Sequence, residues 1–271
     1  MEIGILMLAG GVAAGLFGSL LGLGGGILIV PLLTIGFGLP LREAVGVSLI
    51  CVIVTSGAAA AVYLERRVAN LRLGMTLELF TAIGALVGGL IAFLVSERIL
   101  AALFSAMLVY VAVSMIRGRD PEAEDETAAA APTVQPFGLT LDGPGYAVHG
   151  LGPGVVGSVG AGVVSALLGI GGGLIKVPVM HLVMGVPLRV ATATSNLMIG
   201  VTASASAIIY LVRGGIDPYV VGPTAIGVFL GATLGSRTAH RIDLRVLRIL
   251  FVVVLSWTAF EMIRRALTAA V

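Results

Sequence analysis

The chain has 271 residues, 58% of them hydrophobic and 11% charged, with a mean hydropathy of +1.11. A soluble domain is about a quarter charged, so this composition excludes water as the main solvent. A net charge of +2, carried by arginines at helix ends, argues against nucleic-acid binding, and a single cysteine, Cys51, excludes a disulfide framework or a CxxC metal or redox site.

The first apolar block, residues 3 to 21, is rich in glycine and alanine like a secretory signal. It lacks a basic leading region and carries Glu2 instead, so it is expected to be retained as a helix. Further blocks follow at 43 to 64, 73 to 95, 99 to 116, 146 to 168, 190 to 212, 218 to 236 and 246 to 263. Each is close to the roughly 20 residues that cross about 30 Å of hydrocarbon as a helix. The expected fold is an all-α polytopic membrane protein with about eight spans, plus shorter apolar pieces at 27 to 38 and 174 to 185.

Those short pieces follow two copies of one motif. The run Leu21 to Pro31 returns 147 residues later as Leu168 to Pro178, each copy with three consecutive glycines: Gly24, Gly25 and Gly26, then Gly171, Gly172 and Gly173. Without a gap, residues 15 to 117 lie on 162 to 264, matching Ser48 to Ser195, Thr55 to Thr202, Gly84 to Gly231 and Gly88 to Gly235. Residues 1–117 therefore form a first membrane repeat, 118–145 an acidic, proline-bearing flexible linker, and 146–271 a second repeat. Arg66, Arg67, Arg72, Arg117 and Arg119 favour one set of helix ends in the first half, whereas Arg189, Arg237, Arg241, Arg245 and Arg248 favour the opposite set in the second. If the basic ends are cytoplasmic, the repeats are inverted, and each glycine motif is the tip of a broken or re-entrant hairpin.

Paired, interrupted apolar segments point to a transporter's binding site. Backbone that leaves the helix inside a bilayer must be buried in protein or line water, so the tips are expected at a site. Pro31 and Pro178 are expected in the first turn of a new helix, whose free N–H groups would attract an anion. The GxxxG spacings at Gly84, Gly88, Gly231 and Gly235 read instead as close helix packing.

Lys176, the one lysine in the chain, stands where the first copy has Ile29. An ammonium in an apolar segment suggests an anion-binding or coupling role, against the alternatives of snorkelling or pairing with an acid such as Glu78. Ser48 with Thr55, and Ser195 with Thr202, each seven residues apart, share a helix face, and Thr194 and Asn196 enrich the second copy. These groups are candidate oxyanion ligands, although Ser and Thr in membranes more often bond their own helix. His181 is a second coupling candidate, with packing as its alternative. Arg42 and Arg189 guard entrances or anchor helix starts, and Cys51 reads as a small packing residue. There is no HExxH, GxSxG or P-loop, so no enzyme, cofactor or metal site is expected.

Two motifs GxGGGxxxVP in register, at Gly22 to Pro31 and Gly169 to Pro178, with eight spans and a central linker, resemble the TauE/SafE (TSUP) family of sulfite exporters over nearly the whole chain. Thr194-Ser195-Asn196 is similar to the family's pattern; Val47-Ser48-Leu49 departs from it, implying unequal contributions from the halves. The resemblance implies export of sulfite or a related sulfur oxyanion or organosulfonate across the inner membrane, driven by protons. Relatives that import thiosulfate use several cysteines, which this chain lacks. An anion channel with a glycine-loop filter is the alternative.

Overall fold

A computed structural model describes residues 2–20, 26–65, 69–117, 141–143, 145–238 and 244–268. Among the described residues ten α-helices follow one another: α1 Glu2–Leu20, α2 Gly26–Pro31, α3 Leu41–Glu65, α4 Leu71–Leu94, α5 Glu97–Arg117, α6 Leu151–Leu168, α7 Gly173–Pro178, α8 Leu188–Val212, α9 Pro218–Thr238 and α10 Leu244–Thr268. The starts of α7 to α10 each lie 147 positions after those of α2 to α5, so the element order repeats with the sequence. Among the described residues there is no strand beyond an isolated bridge between Gly143 and Tyr146. Leu21 to Gly25, and with them Gly24 and Gly25, lie outside the described residues, as does the linker from 118 to 140.

Local chemistry explains the boundaries. Asn70 caps α4, its side chain accepting from the Leu73 amide at 3.1 Å. Asp217 accepts from the Tyr219 amide at 2.8 Å ahead of Pro218, the first residue of α9, where a missing N–H costs nothing. Pro31 and Pro178 do not start helices. They close the short segments that begin at Gly26 and Gly173, and a π-helical turn continues each, Leu32–Gly36 and Val179–Val183. A proline ring displaces the carbonyl four residues back and donates no bond, so the following turn widens, and the Met184 amide donates to Val179, five residues earlier, at 3.2 Å.

Five of the described helices, Leu71–Leu94, Glu97–Ile116, Leu151–Leu168, Leu188–Val212 and Pro218–Gly235, are long and apolar enough to cross a membrane. Met75, Leu79, Leu94, Trp257 and Phe260 are exposed, whereas Ser48, Glu78, Thr81, Lys176 and Thr202 are buried. Apolar outside and polar inside suits hydrocarbon as the surrounding solvent.

In lipid, helices gain little from hiding apolar area, and close packing holds them instead. Gly84 and Gly88 of α4 lie against the backbones of Val159 and Val163 of α6, and a methyl group at either would fall inside van der Waals contact with a carbonyl oxygen. Gly231 and Gly235 of α9 meet Val12 and Leu16 of α1 in the same way. These are one contact made twice with the halves exchanged, and in each the numbering rises together, so the helices are parallel. The packing role expected of these four glycines is the one they have.

The centre is a crossing of α3 and α8. Gly46, near the start of α3, faces Tyr210 near the end of α8, while Ser56, farther along α3, faces Gly200. The two helices therefore run in opposite directions. Helix α4 runs with α8, as Gly74 beside Thr194 and Gly89 beside Ile209 show. Cys51 is fully buried in this core, as a small packing residue would be.

Candidate functional site

The second glycine motif leaves the helix at Gly169, and Gly169, Gly171 and Gly172 adopt φ of +70°, +81° and +76°. That left-handed region is open to glycine and strained for L side chains, so this turn depends on its glycines. Space imposes the same requirement, because a methyl at Gly171 would lie 2.7 Å from Ile199 and 2.9 Å from Val52. The turn is thus wedged between α8 and α3.

The two motifs meet there. Ser48 on α3 donates its hydroxyl to the Gly169 carbonyl at 2.8 Å, and the Gly26 carbonyl lies 3.2 Å away. A methyl at Gly26 would stand 2.7 Å from the Gly169 oxygen, so the described end of the first turn abuts the second. Ser48 is a fastener of backbone, not a free hydroxyl. A carbonyl that leaves its helix in a bilayer needs such a donor.

Behind the second turn lies a buried polar triad. Lys176 on α7 sets its ammonium 3.1 Å from Glu78 Oε2 on α4 and 2.5 Å from Thr202 Oγ1 on α8, and Thr202 donates to Glu78 Oε1 at 2.6 Å. Lys176 is 2% exposed and Glu78 7%, so neither charge escapes to an interface. Pairing with Glu78 is the arrangement weighed above as the alternative for Lys176. Two charges taken from water cost several kcal/mol each, and only close pairing with further hydrogen bonds offsets this. Thr202 supplies such a bond. In the other half the equivalent positions are Ile29, Thr55 and Ala225, so the charges belong to one half alone.

Of the remaining candidates, Thr194 is held by the Asn70 amide at 2.9 Å, and Asn196 donates to the Thr192 carbonyl at 3.1 Å. Thr55 donates to Val52 at 3.1 Å, a bond within its own helix. His181 is half-buried, with Nδ1 2.9 Å from the Val186 carbonyl; facing an acceptor, that nitrogen donates and ties down the turn after α7. Arg42 donates to the Val95 carbonyl at 2.9 Å and lies over the Phe93 ring, which anchors a helix start, and Arg189 is exposed. Among the described residues Ser195, beside Gly173, has no hydrogen-bond partner. Ser165 on α6 shares that property and was missed in the sequence, because its repeat counterpart is Gly18 and no motif marks it. Among the described residues no cluster of three or more His, Cys, Asp or Glu could hold a metal.

Comparison with known proteins fits this architecture. The chain is 23% identical over 258 residues to "Probable membrane transporter protein YunE" of Bacillus subtilis, covering 93% of this chain and 94% of that one. It is 26% identical over 260 residues to a protein of Methanocaldococcus jannaschii also named as a probable membrane transporter, covering 90% of each. No solved structure matches it. The sequence model of the family described as "Sulfite exporter TauE/SafE" matches residues 7–262, nearly the entire chain with both glycine motifs and the buried triad. The chain is a multi-pass membrane protein and belongs to the sulfite exporter TauE/SafE family of membrane transporters.

Proposed function

We propose that this protein is a secondary-active transporter of the inner cell membrane that exports sulfite or a related sulfur oxyanion or organosulfonate in exchange for protons. The observation that carries the reading is the junction at Ser48, where Gly26 at the end of the first glycine motif meets Gly169 of the second, between helices from both halves and beside a buried ion pair. Broken helices that converge from two repeats near the middle of the membrane are the usual architecture of a carrier's site. The family's description supplies the substrate class.

The two repeats, 1–117 and 146–271, are inverted in this reading, with eight spans and two re-entrant hairpins. The opposed directions of α3 and α8, which occupy equivalent places in the repeat, support inversion, as does the swap in arginine bias between the halves. Alternating access then follows from rocking α1, α4, α6 and α9, already packed as two exchanged pairs, against the crossed α3 and α8.

Purified protein in liposomes, offered sulfite, sulfate, thiosulfate, sulfoacetate and chloride in turn, tests the proposal. Saturable flux of sulfite or an organosulfonate, with chloride excluded, is the expected result. Flux that rises without saturation and accepts chloride would identify a channel, and no flux of any anion would leave a membrane scaffold.

A further inference from the structure

Serine and threonine hydroxyls in this chain habitually donate to a carbonyl of the preceding turn: Thr81 to Leu77, Ser204 to Gly200, Ser206 to Thr202 and Thr224 to Val220. Ser165 and Ser195 do not. They are 0% and 1% exposed, and among the described residues theirs are the buried side-chain oxygens with no partner. A buried hydroxyl without a bond is costly and calls for a reason.

Both stand at the second glycine turn. A methyl at Gly172 would lie 3.3 Å from Ser165 Cβ and 3.5 Å from Lys176 Cε, and a methyl at Gly173 would lie 3.4 Å from Ser195 Oγ. The two serines thus stand at the bare backbone of one turn, with the stem of Lys176 passing the same point. The first half has no such pair. Ser48, the counterpart of Ser195, is committed to the Gly169 and Gly26 carbonyls, and the counterpart of Ser165 is Gly18.

We propose that Ser165 and Ser195 form an oxyanion-binding subsite at the second glycine turn, so that both hydroxyls gripping the transported anion come from the second half of the molecule. This rests on the reading of the chain as a sulfur-oxyanion carrier and adds Ser165 to it. Each hydroxyl has one proton to give and a free rotor to aim it, and the three oxygens of a pyramidal sulfite can accept from two sides at once. The ion pair of Lys176 and Glu78 lies behind the turn and is compensated by its own partners, so neutral donors make the first contact with the anion.

The test is calorimetric titration of the full chain in nanodiscs with sodium sulfite. Ser165→Ala and Ser195→Ala should each weaken binding at least tenfold, as expected for a hydroxyl bonded to a charged group. Ser204→Ala on α8, whose hydroxyl is already bonded within its helix, should bind as the parent does. Ser165→Thr and Ser195→Thr keep the hydroxyl and should stay within about threefold of the parent, a smaller loss than one hydrogen bond. Without anion the alanine variants should be no less stable than the parent, since they lose atoms that have no partner. Parental affinity in both alanine variants, or equal losses in the threonine and alanine variants, would overturn the subsite and leave the carrier reading standing. A folded parent that binds none of sulfite, thiosulfate and sulfoacetate would bring down both.

Discussion

Breaking the buried triad from one side should cost far more than dissolving it from both. Lys176→Met keeps the apolar stem but leaves the Glu78 carboxylate, 7% exposed, with the Thr202 hydroxyl 2.6 Å away as its remaining partner. Glu78→Leu likewise strands a lysine that is 2% exposed. Removing one partner of a buried pair typically costs about 3–5 kcal/mol, whereas replacing both by apolar groups of similar volume is often neutral or stabilising. Lys176→Met and Glu78→Leu are therefore each expected to destabilise by about that amount, and the double variant by about 2 kcal/mol or less. The resulting coupling of several kcal/mol stands well above the 0.3–0.5 kcal/mol within which independent sites add. Reversible unfolding of the four proteins in mixed micelles, followed by tryptophan fluorescence and circular dichroism, completes the cycle. Single variants that each cost under about 1 kcal/mol and add in the double would refute the placement of Lys176 against Glu78.

Two glycines on α6 should respond oppositely to alanine: Gly160 has open space where a methyl would go and should gain up to about 1 kcal/mol of helix stability. Gly162 lies against the Thr81 carbonyl, so Gly162→Ala should abolish recovery of monodisperse protein; equal yields would disprove the packing of α4 on α6. Asn70→Ala removes the cap of α4 together with bonds to the Leu141 carbonyl and Tyr146 hydroxyl, so it should cost about 1 kcal/mol or more and expose residues 141–150 to limited proteolysis. An unchanged digestion pattern would count against that junction. With inverted repeats, cysteines at positions 2 and 270 in a Cys51→Ala background should react with impermeant maleimide from outside the cell; labelling from the cytoplasmic face alone would contradict the topology.

Much of this architecture is legible in the sequence, because hydrocarbon imposes simple rules on a chain. Helix-length apolar blocks gave the long helices to within a few residues, and the GxxxG spacings gave contacts that the structure makes twice. Three-dimensional partnerships were harder to read. The role of Pro178 was misplaced because a π-helical turn leaves no signature in composition; sequence shows a proline near a helix, not which end of it. Glu78, the one acid inside the block from 73 to 95, was visible as a partner for Lys176, yet the choice between that pair and a free ammonium depends on how α4 lies against α7. Ser48 and Ser195 are equivalent in sequence and differ in use: the first donates to the Gly169 carbonyl, whereas the second has no partner among the described residues. Ser165 had no mark at all, because an unsatisfied hydroxyl is a property of its surroundings.

The central claim is that the two glycine turns serve a carrier moving a sulfur oxyanion against its gradient at the expense of protons. Proteoliposomes holding equal sulfite inside and out, subjected to an imposed pH gradient, test it most directly. The account predicts net sulfite movement away from equality, collapsing when a protonophore is added. Sulfite that stays equal across the membrane under the gradient, while exchanging freely down its own concentration difference, would contradict it.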